Sequence, residues 1–151
     1  MSKQNFFKKD NLKISYRYYK RSKKTLIFLH GLLSDMSGKK SNFLNNYCKK
    51  NNISYLCFDF QGHGRSSGEF TNFGISDWYD DLDNIVKYLK IRNFILIGSS
   101  MGGWVAIIYA LMHPKKVTKL IGIAPAPDFT TKLILENLNV HQRKKIKNNK
   151  I

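Results

Sequence analysis

Phe94-Ile95-Leu96-Ile97-Gly98-Ser99-Ser100-Met101-Gly102-Gly103 joins two apolar runs through a turn of glycines and serines. The first run, residues 94–97, is short and β-branched, which predicts a buried strand. The second, residues 104–112, is longer and made of helix formers, which predicts a buried helix. Between them lies G-x-S-x-G with Ser100 at its centre. A strand that turns sharply into a helix around a serine is a nucleophile elbow. Its glycines are required because the turn is strained and closely packed, and a Cβ there would strike its neighbours. Ser100 is then expected at the top of the sheet, with the helix N-terminus behind it. Taken alone the motif is weak: with Gly and Ser each at about 7% usage, about one chain in twenty of this length carries it by chance. The strand before it and the helix after it supply the context, and both flanks are too apolar for a Gly/Ser linker.

Outward from the elbow, strands and helices alternate. Residues 76–90 carry Trp78, Leu82, Ile85, Val86 and Leu89 at helical spacing, with Ser76 as the expected N-cap. Asp77, Asp80, Asp81 and Asp83 fall in its early turns, where the helix dipole favours negative charge. A glycine-rich loop precedes it, Asp59-Phe60-Gln61-Gly62-His63-Gly64-Arg65-Ser66-Ser67-Gly68. Residues 53–58 read as a buried strand, and residues 39–51 as a helix with Phe43, Leu44, Tyr47 and Cys48 on one face. Thr25–Leu29 is a continuous apolar run, hence a strand buried on both faces, and it ends in His30-Gly31-Leu32-Leu33-Ser34. Leu12–Tyr19 alternates loosely, and its basic residues predict a strand at the sheet edge.

On the other side, the elbow helix stops at His113-Pro114. Val117–Ile123 is a further strand, followed by the loop Ala124-Pro125-Ala126-Pro127-Asp128. A helix is expected from Thr130 through Leu133, Ile134, Leu138 and Val140, and the lysine- and asparagine-rich end beyond His141 is expected to fray. The alternation predicts the α/β class: a mostly parallel sheet with helices on both faces.

The chain of 151 residues is 42% hydrophobic and 13% aromatic, enough for a real core. Its formal charge of +16 invites a nucleic-acid reading. Of the 26 basic residues only five are arginine, the better phosphate fork, and the lysines are spread along the chain among Asn and Ile. The charge therefore reads as compositional bias, and no specific nucleic-acid partner is expected. Cys48 and Cys57 are too sparse for a disulfide framework and indicate a reducing compartment. Residues 1–10 hold no apolar signal core, and no apolar run is long enough to span a bilayer, so a cytoplasmic location without a transmembrane segment is expected. No cofactor or metal is called for.

A serine hydroxyl needs a base to take its proton and donors to hold the oxyanion that develops. The elbow offers the backbone N–H of Met101, and the loop after His30-Gly31 offers that of Leu32. In this reading His30 positions the loop and is not the base.

His30-Gly31, Asp59-Phe60-x-Gly62-x-Gly64-x-Ser66 and Gly98-x-Ser100-x-Gly102 occur in an order and spacing that resemble the α/β-hydrolase superfamily. Residues 31–39, 98–104 and 120–124 are similar to a branch that contains palmitoyl-protein thioesterases, also described as acyl-glucuronide esterases. The resemblance implies a hydrolase of carboxylic esters or thioesters, an eight-stranded sheet, a cap after the sixth strand, and a triad in the order serine, acid, histidine. About six strands can be counted here. The chain is therefore expected to be a single incomplete domain over 1–151, with its core at 12–128 and the start of a cap or a frayed tail at 129–151. Ser100 is the nucleophile in this frame. Asp128 follows the sixth strand, where some members carry their acid, and His141 follows in the right order. His63 and Asp59 read as structural, His113 as a favourable cation at a helix end, and the Asp77 to Asp83 cluster as helix-start charge rather than a metal site. Two readings stay open: a serine hydrolase, completed if a separately encoded C-terminal half supplies acid and histidine, or a non-catalytic remnant or interaction module. The Val117–Ile123 strand is expected to be an apolar edge, leaving the chain marginally stable.

Overall fold

The computed structural model describes residues 4–128. Its strands are β1 (Asn5–Lys9), β2 (Leu12–Tyr19), β3 (Thr25–Leu29), β4 (Ser54–Phe58), β5 (Phe94–Ser99) and β6 (Val117–Ile123). Its helices are α1 (Lys39–Lys50), α2 (Ile75–Tyr88) and α3 (Met101–Met112). The strands form one sheet in the order β1-β2-β4-β3-β5-β6. β4, β3, β5 and β6 run parallel, and β1 and β2 are antiparallel additions on the β4 side. The helix expected from Thr130 through Val140 lies outside the described residues.

Side chains of the central strands alternate between two cores. Ile27, Leu29, Leu56, Phe58 and Leu96 face α2 and α3, where they pack with Trp78, Leu82, Ile85, Val105 and Tyr109. Leu26, Phe28, Tyr55, Cys57 and Ile97 point the other way, towards Cys48 of α1 and Met36. Every residue of β3 and β4 is buried, as a parallel strand covered on both faces requires. Cys48 and Cys57 are free thiols in the α1-side core. Among the described residues, no helix is long and apolar enough to cross a membrane.

Three local expectations are corrected. Leu12–Tyr19 is not the sheet edge: β1 pairs outside it from Asn5↔Tyr16 to Lys9↔Leu12. The turn between them places Asp10 at φ 52°. Only Phe7 of β1 is buried, so a single apolar position carried the alternation and left no pattern to read. The N-cap of α2 is Gly74 rather than Ser76: the Asp77 carboxylate accepts the Gly74 N–H at 2.8 Å, and the Gly74 carbonyl accepts the Trp78 N–H at 3.1 Å. On α1, Phe43 and Tyr47 are exposed, and the buried face runs through Ser41 and Cys48 with Leu44 half-buried. Ser41 is accepted there because its hydroxyl meets the Tyr55 hydroxyl at 3.0 Å.

Candidate active site

β5 ends at Ser99 and α3 begins at Met101, so one residue makes the whole turn. That residue, Ser100, has φ 52° and ψ −121°. This left-handed conformation is unfavourable for a residue with a Cβ, and it persists only where surroundings over-determine it. Here they do. The Ser100 N–H donates to the Ile123 carbonyl at 3.1 Å, and the Ser100 carbonyl accepts the N–H groups of Gly103, Trp104 and Ala126 at 2.9, 3.2 and 3.2 Å. Gly98 and Gly102 are needed for close approach: a Cβ on Gly98 would enter the Gly102 carbonyl, and one on Gly102 would enter the carbonyls of Leu29 and His30.

The β3–β5 register pairs Leu29 with Gly98, which brings the loop after β3 against the elbow. A Cβ on Gly31 would stand 3.3 Å from the Ser100 Cβ. Leu32 follows, half-buried. Among the described residues no acceptor takes the backbone N–H of Leu32 or that of Met101. Ser99, Ser100, His30, Gly31 and Leu32 line one side of a cavity of about 270 Å³ whose other side is the start of α1, with Asp35, Lys39 and Lys40.

Two buried groups hold these loops. The His30 Nδ1–H donates to the Gly31 carbonyl at 2.8 Å, and its Nε2 accepts the Phe60 N–H at 3.2 Å. With both nitrogens engaged and burial pushing its pKa down to about 4, His30 is a neutral strut. The Asp59 carboxylate accepts the N–H groups of Met36 at 2.8 Å and Arg65 at 3.0 Å, tying the two loops together. Burial still pushes that carboxyl above its ordinary range. His63 is buried among His30, Phe60, Phe70 and Trp78, and its Nδ1–H donates to the Gln61 carbonyl at 3.1 Å.

The aspartates of α2 depart from the helix-start account. Asp77 caps, but Asp81 is fully buried, and its carboxylate accepts both the backbone N–H and the side-chain N–H of Gln61, at 2.7 and 2.9 Å. It anchors the glycine-rich loop from below, a role hidden in sequence because an aspartate in an early helical turn has a simpler explanation. Asp83 accepts the Tyr109 hydroxyl at 3.1 Å and pairs with Lys87. Among the described residues no group of His, Cys, Asp and Glu could hold a metal. His113 is not the cation expected at the end of α3: partial burial and then Lys116 push its pKa down, and its Nε2 lies 2.9 Å from the Tyr79 hydroxyl.

Asp128 is exposed at φ 58°, and among the described residues it bonds neither Ser100 nor a histidine. His141 lies outside the described residues. The structure therefore brings Ser100, Leu32 and Met101 together and does not join Asp128 to them.

Residues 24–147 match the family described as alpha/beta hydrolase fold. The chain belongs to this family. It is 36% identical over 124 residues to the rat protein named palmitoyl-protein thioesterase ABHD10, mitochondrial, covering 82% of this chain and 42% of that one. It is 34% identical over 107 residues to putative esterase/lipase 2 of Mycoplasma genitalium, covering 70% and 39% respectively. Among solved structures, mouse alpha/beta hydrolase domain-containing protein 10 superposes with a TM-score of 0.88 at 30% identity, over 98% of this chain and 59% of that one. The chain thus spans about two fifths of the length of these curated relatives. The rat protein's name places that protein in mitochondria, in contrast to the cytoplasmic location expected for this sequence.

Proposed function

We propose that the protein is a serine hydrolase of carboxylic esters or thioesters, with Ser100 as nucleophile. The observation that carries this reading is the Ser100 backbone, a non-glycine residue held at φ 52° between a strand and a helix. Backbone outliers costing about 1–3 kcal/mol, here with ψ −121° as well, are concentrated at active sites. Attack by Ser100 Oγ on an acyl carbon would put the developing oxyanion beside the N–H groups of Leu32 and Met101, the second of which belongs to a helix N-terminus. Collapse of the tetrahedral species expels the alcohol or thiol, and water clears the acyl-enzyme. The thioester class draws support from the name of the rat relative.

Among the described residues no histidine bonds the Ser100 hydroxyl. The reading therefore requires a base from outside them, and within this sequence the candidate is His141, with Asp128 as its acid. The same observation favours the second reading, a non-catalytic module that keeps the elbow as architecture. Fluorophosphonate labelling decides between them. Stoichiometric modification of the full chain that disappears in Ser100→Ala is the expected result. Equal, weak labelling of both proteins would leave the elbow without an activated serine and overturn the hydrolase reading.

A further inference from the structure

Charge in the described residues is sorted by position along the strands. β3, β4, β5 and β6 are parallel, so their first residues share one end of the sheet, and α1, α2 and α3 return to that end. Ser100 lies at the other. At the strand-start end, Lys20, Arg21, Lys23 and Lys24 form the loop before β3, and Lys49 and Lys50 close α1. Lys87, Lys90 and Arg92 lead from α2 into β5, and Lys115 and Lys116 lead from α3 into β6. These are eleven of the 19 Lys and Arg in residues 4–128; of the nine Asp and Glu in that span only Asp83 joins them. The other eight cations are matched by eight acids, so the net charge of the described residues, +10, is the charge of this one end.

The end is a held surface. The Tyr19 ring lies under Arg21 at 5.5 Å and Lys49 at 5.8 Å. The Ser54 hydroxyl accepts the N–H groups of Arg21 and Ser22 at 2.9 and 3.1 Å, and the Lys24 carbonyl accepts the Ser54 N–H at 3.0 Å. The 20–24 loop is thereby fastened beside the end of α1. Nine of the eleven side chains belong to exposed residues, Lys49 and Lys116 being half-buried. The helix dipole accounts for cations in the last turns, such as Lys49, Lys50 and Lys87. It does not account for Lys20, Arg21, Lys23, Lys24 or Arg92, which lie outside helices. A lysine-rich composition sets how many cations there are and would scatter them over both ends.

We propose that this end of the sheet is a docking face for an anionic lipid bilayer, which holds the protein at a membrane surface with Ser100 on the opposite, open side. The face spans four adjacent strands, about 15 Å, and three layers about 10 Å thick each. A nucleic-acid strand is tracked by a linear groove with stacking platforms. This face is broad in two directions, and nine of its eleven cations are lysine. Point charges on flexible stems suit the diffuse charge of a headgroup layer, whereas phosphate forks are built from arginine.

Co-sedimentation of the full chain with vesicles tests this without any turnover. At about 0.1 M salt, binding is expected to phosphatidylcholine vesicles containing phosphatidylserine and not to phosphatidylcholine alone, with loss at about 1 M, where the screening length is about 3 Å. Lys20→Gln, Arg21→Gln, Lys23→Gln and Lys24→Gln together should lower partitioning by about tenfold or more. Lys8→Gln, Lys9→Gln, Lys13→Gln and Arg65→Gln remove the same charge at the Ser100 end and should leave it within about twofold. Circular dichroism of both variants keeps the comparison between folded proteins. Equal loss in the two variants would assign binding to bulk charge, and retention in the first would remove the face; either overturns the proposal. So does tighter binding, at equal salt, of a single-stranded oligonucleotide than of the phosphatidylserine vesicles.

Discussion

At the scale of single residues, the elbow is a set of collisions avoided. Gly102 sits where the carbonyls of Leu29 and His30 leave no room for a methyl group. Gly102→Ala should therefore destabilise the fold by about 1–3 kcal/mol, read as a lower urea midpoint, and should abolish fluorophosphonate labelling by displacing the loop that carries Leu32. A variant of unchanged midpoint would mean that the two loops are not interlocked. Asp81 makes a second case. Burial pushes its carboxyl up to about 7 against the pull of the two Gln61 donors. The folded protein thus holds this proton to higher pH than the unfolded chain, whose ordinary value is 3.8. Its contribution to stability is complete below that value and is lost as pH rises through about 7. Asp81→Asn keeps an acceptor for the Gln61 N–H and carries no charge, so its stability relative to the wild type should rise between pH 5 and pH 8. Urea titrations at the two pH values measure this, and a relative fall would reverse the sign argued here.

At the scale of elements, the helix start at Gly74 shows what a side-chain rule misses. Ser76 is the better N-cap by residue type, but the chain at Gly74 is already extended and Asp77 closes back onto it. Asp77→Ala removes the acceptor for the Gly74 N–H and should lower stability by about 1 kcal/mol, whereas Ser76→Ala, at an exposed position, should change it little; thermal melts of the pair separate the two caps. The same contrast runs through the chain. β3 and β4 are legible because both faces are buried, so every position is apolar or small. β1 is illegible because one buried phenylalanine in five residues leaves no period. The site is legible where backbone geometry demands glycine, at Gly98 and Gly102. It is illegible where a buried charge has a simpler surface explanation, as at Asp81, or where burial decides an ionisation, as at His113. His113 lost its expected charge to burial and to Lys116, which no helix-end rule includes.

At the scale of the whole molecule, the sheet is asymmetric. The β1 edge carries two lysines, and only Phe6 and Phe7 among its residues are apolar. β6 has one sheet neighbour, β5, among the described residues. Its residues from Thr118 to Gly122 are exposed, including Leu120 at 41% and Ile121 at 46%. An apolar strand whose outer N–H and carbonyl groups meet no partner among the described residues is a template for another strand, and natural edges are blunted by charges, prolines, bulges or a covering element together. Lys119 is the only charge in β6. The protein is therefore expected to self-associate through β6, with sedimentation coefficients that rise across the micromolar range. Ile121→Lys puts a second cation two residues from Lys119, on the same face of the strand, so that two copies cannot align their edges without bringing like charges together along that face. Its sedimentation coefficient should stay constant over the same range. Ile121 sits opposite Ile97 in the β5–β6 register, so the substitution also removes one cross-strand apolar pair, worth about 0.2–1 kcal/mol. A small drop in thermal midpoint together with loss of association is the expected pair of results. Association that persists in Ile121→Lys would move the contact away from this edge, to the exposed Leu111 and Met112 at the end of α3 or to Phe43 on α1.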